Sequence, residues 1–105
     1  MADYGGIREA FAAYRSYVAT NGVESPLPGL EQFTAEQIFF ITFANTHCGV
    51  ETPEKLLDRI MNDPHSPSRY RVIGTLSNSE DFMHVFNCPP SSPMNQLNKC
   101  ALWRR

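Results

Sequence analysis

The sequence predicts a mainly α-helical fold of about four helices joined by proline-rich loops, with at most short extended segments. Three observations predict it. Apolar residues recur at helical spacing in several segments. Helix-opening signatures stand before the apolar runs, at Thr34-Ala35-Glu36-Gln37, Thr52-Pro53-Glu54 and Ser77-Asn78-Ser79-Glu80. Prolines, glycines and asparagines cluster between those runs, where they forbid regular structure.

The first predicted helix covers about residues 7–19. Ile7, Phe11, Tyr14 and Val18 share one face. Asn21-Gly22 ends it, because both residues tolerate the left-handed backbone past a helix end. Gly5-Gly6 ahead of it reads as a plain turn; an anion at the helix N-terminus is the sharper alternative. Glu24 to Leu30 holds two prolines and a glycine, so it is a stiff, apolar loop that packs on something. Thr34 and Gln37 form a capping box for a second helix reaching about Thr46. That helix is apolar on nearly every face and belongs in the middle of a core, which is a lot of burial for a domain of this size to supply alone. Thr52 caps the third helix, with Pro53 in its first turn and an apolar stripe of Leu56, Leu57, Ile60 and Met61. Asp63-Pro64 stops it. Residues 63–78 lack helical periodicity, and Tyr70 to Ile73 reads as a short extended piece. Ser77 and Glu80 cap a last short helix with Phe82, Val85 and Phe86 on one side. The tail from Pro89 is rich in proline and asparagine and ends in Ala101-Leu102-Trp103.

The bulk properties bound the function. A chain of 105 residues makes one small domain, with a thin stability margin. Nine basic and eleven acidic residues are scattered to a net charge of −2. No basic run marks a nucleic-acid or anionic-membrane surface, and Arg104-Arg105 is too short to count. No apolar stretch is long enough to span a bilayer. Met1 to Gly6 is not a signal peptide, so the chain taken alone would stay where it is made. Three cysteines, Cys48, Cys88 and Cys100, cannot all pair within one chain. They are either three buried or free thiols, or their partners lie in sequence absent here.

Chemistry is sparse when read from the residues alone. The histidines are His47, His65 and His84, and none stands four residues from another. A helical His-Glu-x-x-His zinc pair is therefore excluded. A metal site from His47, Cys48, His65 and His84 is geometrically allowed but unspecific; each histidine reads more simply as a surface or hydrogen-bonded side chain. No nucleophile elbow, phosphate loop or dinucleotide fingerprint is present. His65-Ser66-Pro67-Ser68-Arg69-Tyr70-Arg71 stands out. It places one ionisable donor and two guanidinium groups in a proline-stiffened loop, against the plainer reading of a solvated, weakly basic loop.

Many blocks then follow in a characteristic order. They are Ala2-Asp3 and Gly5 to Phe11; Leu27-Pro28-Gly29-Leu30; Gln37 to Phe40 with Phe43-Ala44; and Asp63-Pro64-His65-Ser66-Pro67. Arg71 to Asn78, Phe86-Asn87-Cys88-Pro89, Pro93-Met94-Asn95, and Lys99-Cys100 with Trp103 complete the series. Over essentially the whole chain this resembles the end of the neprilysin and endothelin-converting-enzyme family of zinc endopeptidases. The resemblance implies the C-terminal helical subdomain of a zincin-type catalytic domain, a single incomplete domain over residues 1–105. It implies a zinc held by two histidines of His-Glu-x-x-His and by the glutamate of Glu-x-x-x-Asp, with the glutamate between the histidines activating water. Those zinc ligands would lie upstream of Met1, so no metal is expected on this chain. Asp3 resembles the last residue of Glu-x-x-x-Asp, a carboxylate that orients a metal ligand. His65 matches the histidine that donates to the oxyanion of the tetrahedral intermediate, and Arg71 the arginine that grips a substrate backbone carbonyl.

An Asp3–Arg71 pair is expected. The resemblance also implies that the three cysteines join cysteines upstream, in full-length proteins that are extracellular or membrane-anchored. Peptide substrates and the missing upstream part of the catalytic domain are the implied partners. Two departures stand out: His47 replaces a residue that is usually aromatic, commonly tryptophan, and Arg104-Arg105 runs past the usual final tryptophan. Two functions are then in play. One is an endopeptidase segment that is inactive alone; the other is a truncated product that binds peptides or partners as a decoy.

Overall fold

The computed structural model describes residues 2–101. The expectations placed on Met1, Leu102, Trp103, Arg104 and Arg105 lie outside those residues. The described residues form five helices and no strand: α1 (Ala2–Asn21), α2 (Ala35–Thr46), α3 (Pro53–Asn62), α4 (Ser68–Leu76) and α5 (Glu80–Val85).

The mainly helical class holds, with two corrections. The first is at α1, which starts at Ala2 and takes Gly5 and Gly6 into its first turns, where a turn was expected. Asp3 in the first turn suits the positive end of the helix dipole and is tied to α4, which holds the glycines in helix. The second is at residues 70–73, expected to be extended, which lie inside α4 and raise the helix count from four to five. Val72, Ile73, Gly74 and Thr75 are poor helix formers, but only a helix turns Val72, Thr75 and Leu76 together toward the core. A smaller shift concerns α5: its cap is Ser79, accepting from the Phe82 N–H at 3.1 Å, and not Ser77.

The other ends follow the sequence closely. Gly22 closes α1 with φ +85°. Thr34 accepts from the Gln37 N–H at 3.1 Å, and the Gln37 side chain accepts from the Thr34 N–H at 3.0 Å. Thr52 caps α3 through the Lys55 N–H at 3.3 Å.

The core is a small aromatic cluster. Ile7 and Phe11 of α1, Phe40 of α2 and Leu76 of α4 are buried, with Phe39, Phe43, Phe82 and Phe86 packed around them. Phe11 and Phe40 meet at 4.8 Å between ring centroids, and Phe82 stands edge-on to Phe40 at 5.6 Å. Helix α1 packs on α4, and α2 on α5. Arg15 staples three helices from outside. It bonds Glu36 of α2 at 2.9 Å and Asp81 of α5 at 3.0 Å while lying over the Phe11 ring.

Burial stops there. Helix α2, expected inside a core, buries only Phe40, and Ile41 is exposed. The apolar stripe of α3 is exposed throughout, from Leu56 to Met61. Leu27 and Pro26 of the stiff loop line one bank of an open groove of about 710 Å³ whose other bank is Ile38, Phe39 and Phe43. The radius of gyration is 15.6 Å, against roughly 13 Å for a compact chain of 100 residues. The described chain is thus an open helical assembly with one small core.

Candidate functional site

The packing of α1 on α4 brings residues 68 positions apart into one cleft. Asp3 sits in the first turn of α1, and Arg71 sits on the first turn of α4. Arg71 Nε donates to Asp3 Oδ2 at 2.7 Å and Nη2 to Oδ1 at 2.6 Å. This bidentate fork is the strongest geometry a guanidinium offers a carboxylate. Both side chains are about three-quarters covered, at 23% and 28% exposure. The Arg71 hydrogen bonds hold the Asp3 carboxyl below its usual range against the opposing effect of burial, helped by the charge of Arg71 and by nearby His47. Reciprocally, the Asp3 hydrogen bond raises Arg71 above its usual value. The expected pair is present, and it engages both carboxylate oxygens of Asp3.

His65 lies in the loop between α3 and α4, at the mouth of the same cleft. Asp63, the C-terminal cap of α3, holds it twice: one oxygen, Oδ1, accepts from the His65 backbone N–H at 2.8 Å and meets ring Nδ1 at 2.9 Å. The backbone and then the ring contact of His65 keep the Asp63 carboxyl below its usual range. With Nδ1 given to Asp63, Nε2 is the ring nitrogen left for a ligand, and the ring is 66% exposed. Asp3, His65 and Arg71 all border a cleft of about 590 Å³ that also meets Tyr4, Tyr70 and Asn78.

Sequence reasoning named Asp3, His65 and Arg71 and missed Asp63. A signal was available, since an aspartate two residues before a histidine, followed by proline, is a natural Asx turn. It also missed Asn95, which is 6% exposed. Its amide donates to the carbonyls of Cys88 at 2.9 Å and Pro89 at 3.2 Å, and its oxygen accepts from Lys99 at 2.6 Å. Asn78 accepts from the Cys100 N–H at 2.7 Å, which brings the tail to the edge of the cleft.

The other candidates do not join the site as ligands. His47 packs edge-on to Phe43 at 5.2 Å, and His84 closes the last turn of α5. Among the described residues no three His, Cys, Asp or Glu side chains gather as a metal seat, so the allowed His47, Cys48, His65 and His84 grouping is not assembled. Cys48 and Cys100 are exposed free thiols, and Cys88 is a half-buried one. No helix among the described residues is long and apolar enough to cross a membrane.

Comparison with known proteins gives a family. The profile of peptidase family M13 matches residues 1–102. Endothelin-converting enzyme 1 of Mus musculus is 50% identical over 103 residues, which is 98% of this chain and 13% of that protein. Neprilysin-11 of Caenorhabditis elegans is 47% identical and neprilysin of Oryctolagus cuniculus 45% identical over the same span. The chain covers 12–14% of the length of these three relatives. Matched along nearly all of its own length, the chain belongs to peptidase family M13.

Proposed function

We propose that this chain is the C-terminal segment of a neprilysin-like zinc metalloendopeptidase, supplying the oxyanion and substrate-backbone contacts for hydrolysis of oligopeptides. The single observation that carries the reading is the convergence of Asp3, His65 and Arg71 on one cleft.

Each residue has a task in that reading. His65, held through Nδ1, presents Nε2 to the oxygen that gains negative charge when a peptide carbonyl is attacked. For Nδ1 to donate to Asp63 and Nε2 to donate to the oxyanion, the ring must carry both protons. Such a preorganised donor lowers a barrier by about 2.7–4 kcal/mol. Arg71 grips a substrate backbone carbonyl, and Asp3 fixes the plane of its guanidinium. Asp3 also offers the carboxylate that orients a metal ligand in the whole enzyme.

The residues present do not fit a zinc seat. Among the described residues no three His, Cys, Asp or Glu side chains gather where a metal ion could sit. The nucleophile for peptide hydrolysis must therefore come from residues outside this chain, and the chain alone is expected to be inactive.

Two assays test this. The purified chain with a quenched fluorescent peptide should give no cleavage with zinc, with or without chelator. A hybrid in which the chain replaces the matching 103 residues of the mouse relative should cleave, and His65→Ala in it should lose about 10²–10³ in kcat. Zinc-dependent turnover by the chain alone, or a hybrid indifferent to His65→Ala, would sink the reading. The second reading is a non-catalytic product that binds peptides or partners as a decoy. It is favoured by the open apolar groove between α2 and residues 23–33. A hybrid that folds but never cleaves would leave that reading standing.

A further inference from the structure

Helix α3 has a structural oddity. It buries none of its residues, and its apolar stripe faces outward. Among the described residues, buried apolar packing does not fix how α3 meets α4, yet the loop between them carries His65. Polar contacts of one side chain do connect the two. Arg59, in the last turn of α3, reaches in three directions. Its Nη1 meets Glu51 Oε1 at 2.8 Å, on the segment before α3. The same nitrogen donates to Ser68 Oγ at 3.4 Å, at the start of α4. Its Nε lies 3.9 Å from Asp63 Oδ2. Arg59 and Glu51 are about three-quarters covered, at 27% and 22% exposure, so this pair is screened less than a surface pair.

We propose that Arg59 is a positioning residue for His65. By bridging Glu51, Asp63 and Ser68 it closes the ends of the 63–67 loop and turns the Asp63 carboxylate toward the imidazole. The two oxygens of Asp63 divide the work. Oδ2 faces the Arg59 cation, which leaves Oδ1 for the backbone N–H and ring Nδ1 of His65. Without the cation on its far side, the carboxylate is free to rotate, and the ring loses a fixed direction for Nε2. The backbone and ring contacts of His65 hold the Asp63 carboxyl below its usual range, and the Arg59 charge adds the least to them. Arginine suits this place because its fork can address two acceptors at once, which a lysine ammonium on a flexible stem does less rigidly. The inference deepens the proposed function and rests on that reading for the task it assigns to His65.

The test uses the chain itself and does not depend on turnover. Long-range proton–nitrogen NMR spectra resolve the rings of His47, His65 and His84, and amide exchange reads the His65 N–H. In Arg59→Ala the His65 ring nitrogens should move toward their positions in Asp63→Asn. The His65 amide should exchange about tenfold faster, as for one modest hydrogen bond lost. The rings of His47 and His84 should not move, and Arg59→Lys should recover part of the His65 shift. A folded Arg59→Ala chain with wild-type His65 signals and exchange overturns the proposal. If Arg59→Ala does not fold, Glu51→Gln serves instead. It keeps the cation but weakens its 2.8 Å partner, so His65 should move the same way by less, and an unmoved His65 again overturns the proposal. His65→Ala in the hybrid enzyme reports separately on the oxyanion role. Arg59-dependent His65 signals beside a silent His65→Ala would keep the positioning network and discard the role.

Discussion

The two faces of α1 end in different conditions. At its N-terminus, Asp3 enters a cleft whose polar side chains are answered within the chain: Asp3 by Arg71 inside it, and His65 by Asp63 just outside it. Farther along, Ile7 and Tyr14 reach an apolar groove whose banks stay open, with Val23 at 80% and Leu27 at 53% exposure. Polar geometry is satisfied by a few short contacts, so a small chain can complete it. Apolar burial scales with surface, and about a hundred residues of this shape do not supply enough. The site is therefore better finished than the body that carries it.

The largest effect should come from the body. Phe40 is 1% exposed and touches Phe11, Phe39, Phe82 and Phe86. Phe40→Ala should cost about 3–5 kcal/mol, a large part of the stability of a domain this small. Urea unfolding followed by circular dichroism should show the chain largely unfolded without denaturant. The comparison breaks if Phe40→Ala costs less than losing the Asp3–Arg71 pair.

That pair gives the next effect. Asp3→Ala should cost about 1–2 kcal/mol, between the values for an exposed ion pair and for a hydrogen bond to a buried charge. It should also free Arg71, and an unchanged Arg71 orientation in the variant would show that the pair does not position it. The pH dependence has a fixed sign. Asp3 titrates lower in the folded chain than its ordinary 3.8 because Arg71 donates to it. Between the two values the unfolded chain binds more protons, so stability rises with pH there. The contribution is complete above the unfolded value and is lost as pH falls through the folded one. Asp3→Asn should flatten the acid limb of the stability profile, and an acid limb as steep as wild type would remove Asp3 as its source.

How far the sequence disclosed all this differs between the same two regions. Caps were legible because they are local: Thr34, Thr52 and Gly22 act through bonds within four residues. The loop from His65 to Arg71 stood out from its residues, but Asp3 and its pairing with Arg71 were legible only through family resemblance, since 68 positions separate the pair. Helix α4 was not legible, because its β-branched residues and Gly74 argue locally against a helix that tertiary packing imposes. The exposure of α2 was legible in part, since so apolar a helix asks for more burial than a chain this short supplies. Its apolar residues announce burial truly, but a sequence does not say whether the covering surface belongs to the same chain.

The smallest effect on stability should come from α3, and it sharpens the comparison most. Leu57 and Met61 are 62% and 73% exposed on one helix face. Replacing both with glutamine removes little buried area, so unfolding should shift by no more than about 0.5 kcal/mol. Self-association should respond instead, because contiguous apolar surface in water drives contact between copies. Sedimentation velocity should show wild type associating with concentration and the double variant less so. If stability falls sharply, α3 is anchored through its apolar face and Arg59 is not its main tie to α4. If stability holds and association persists unchanged, the groove beside Phe39 is the adhesive surface, and the bare condition of the body is concentrated there rather than on α3.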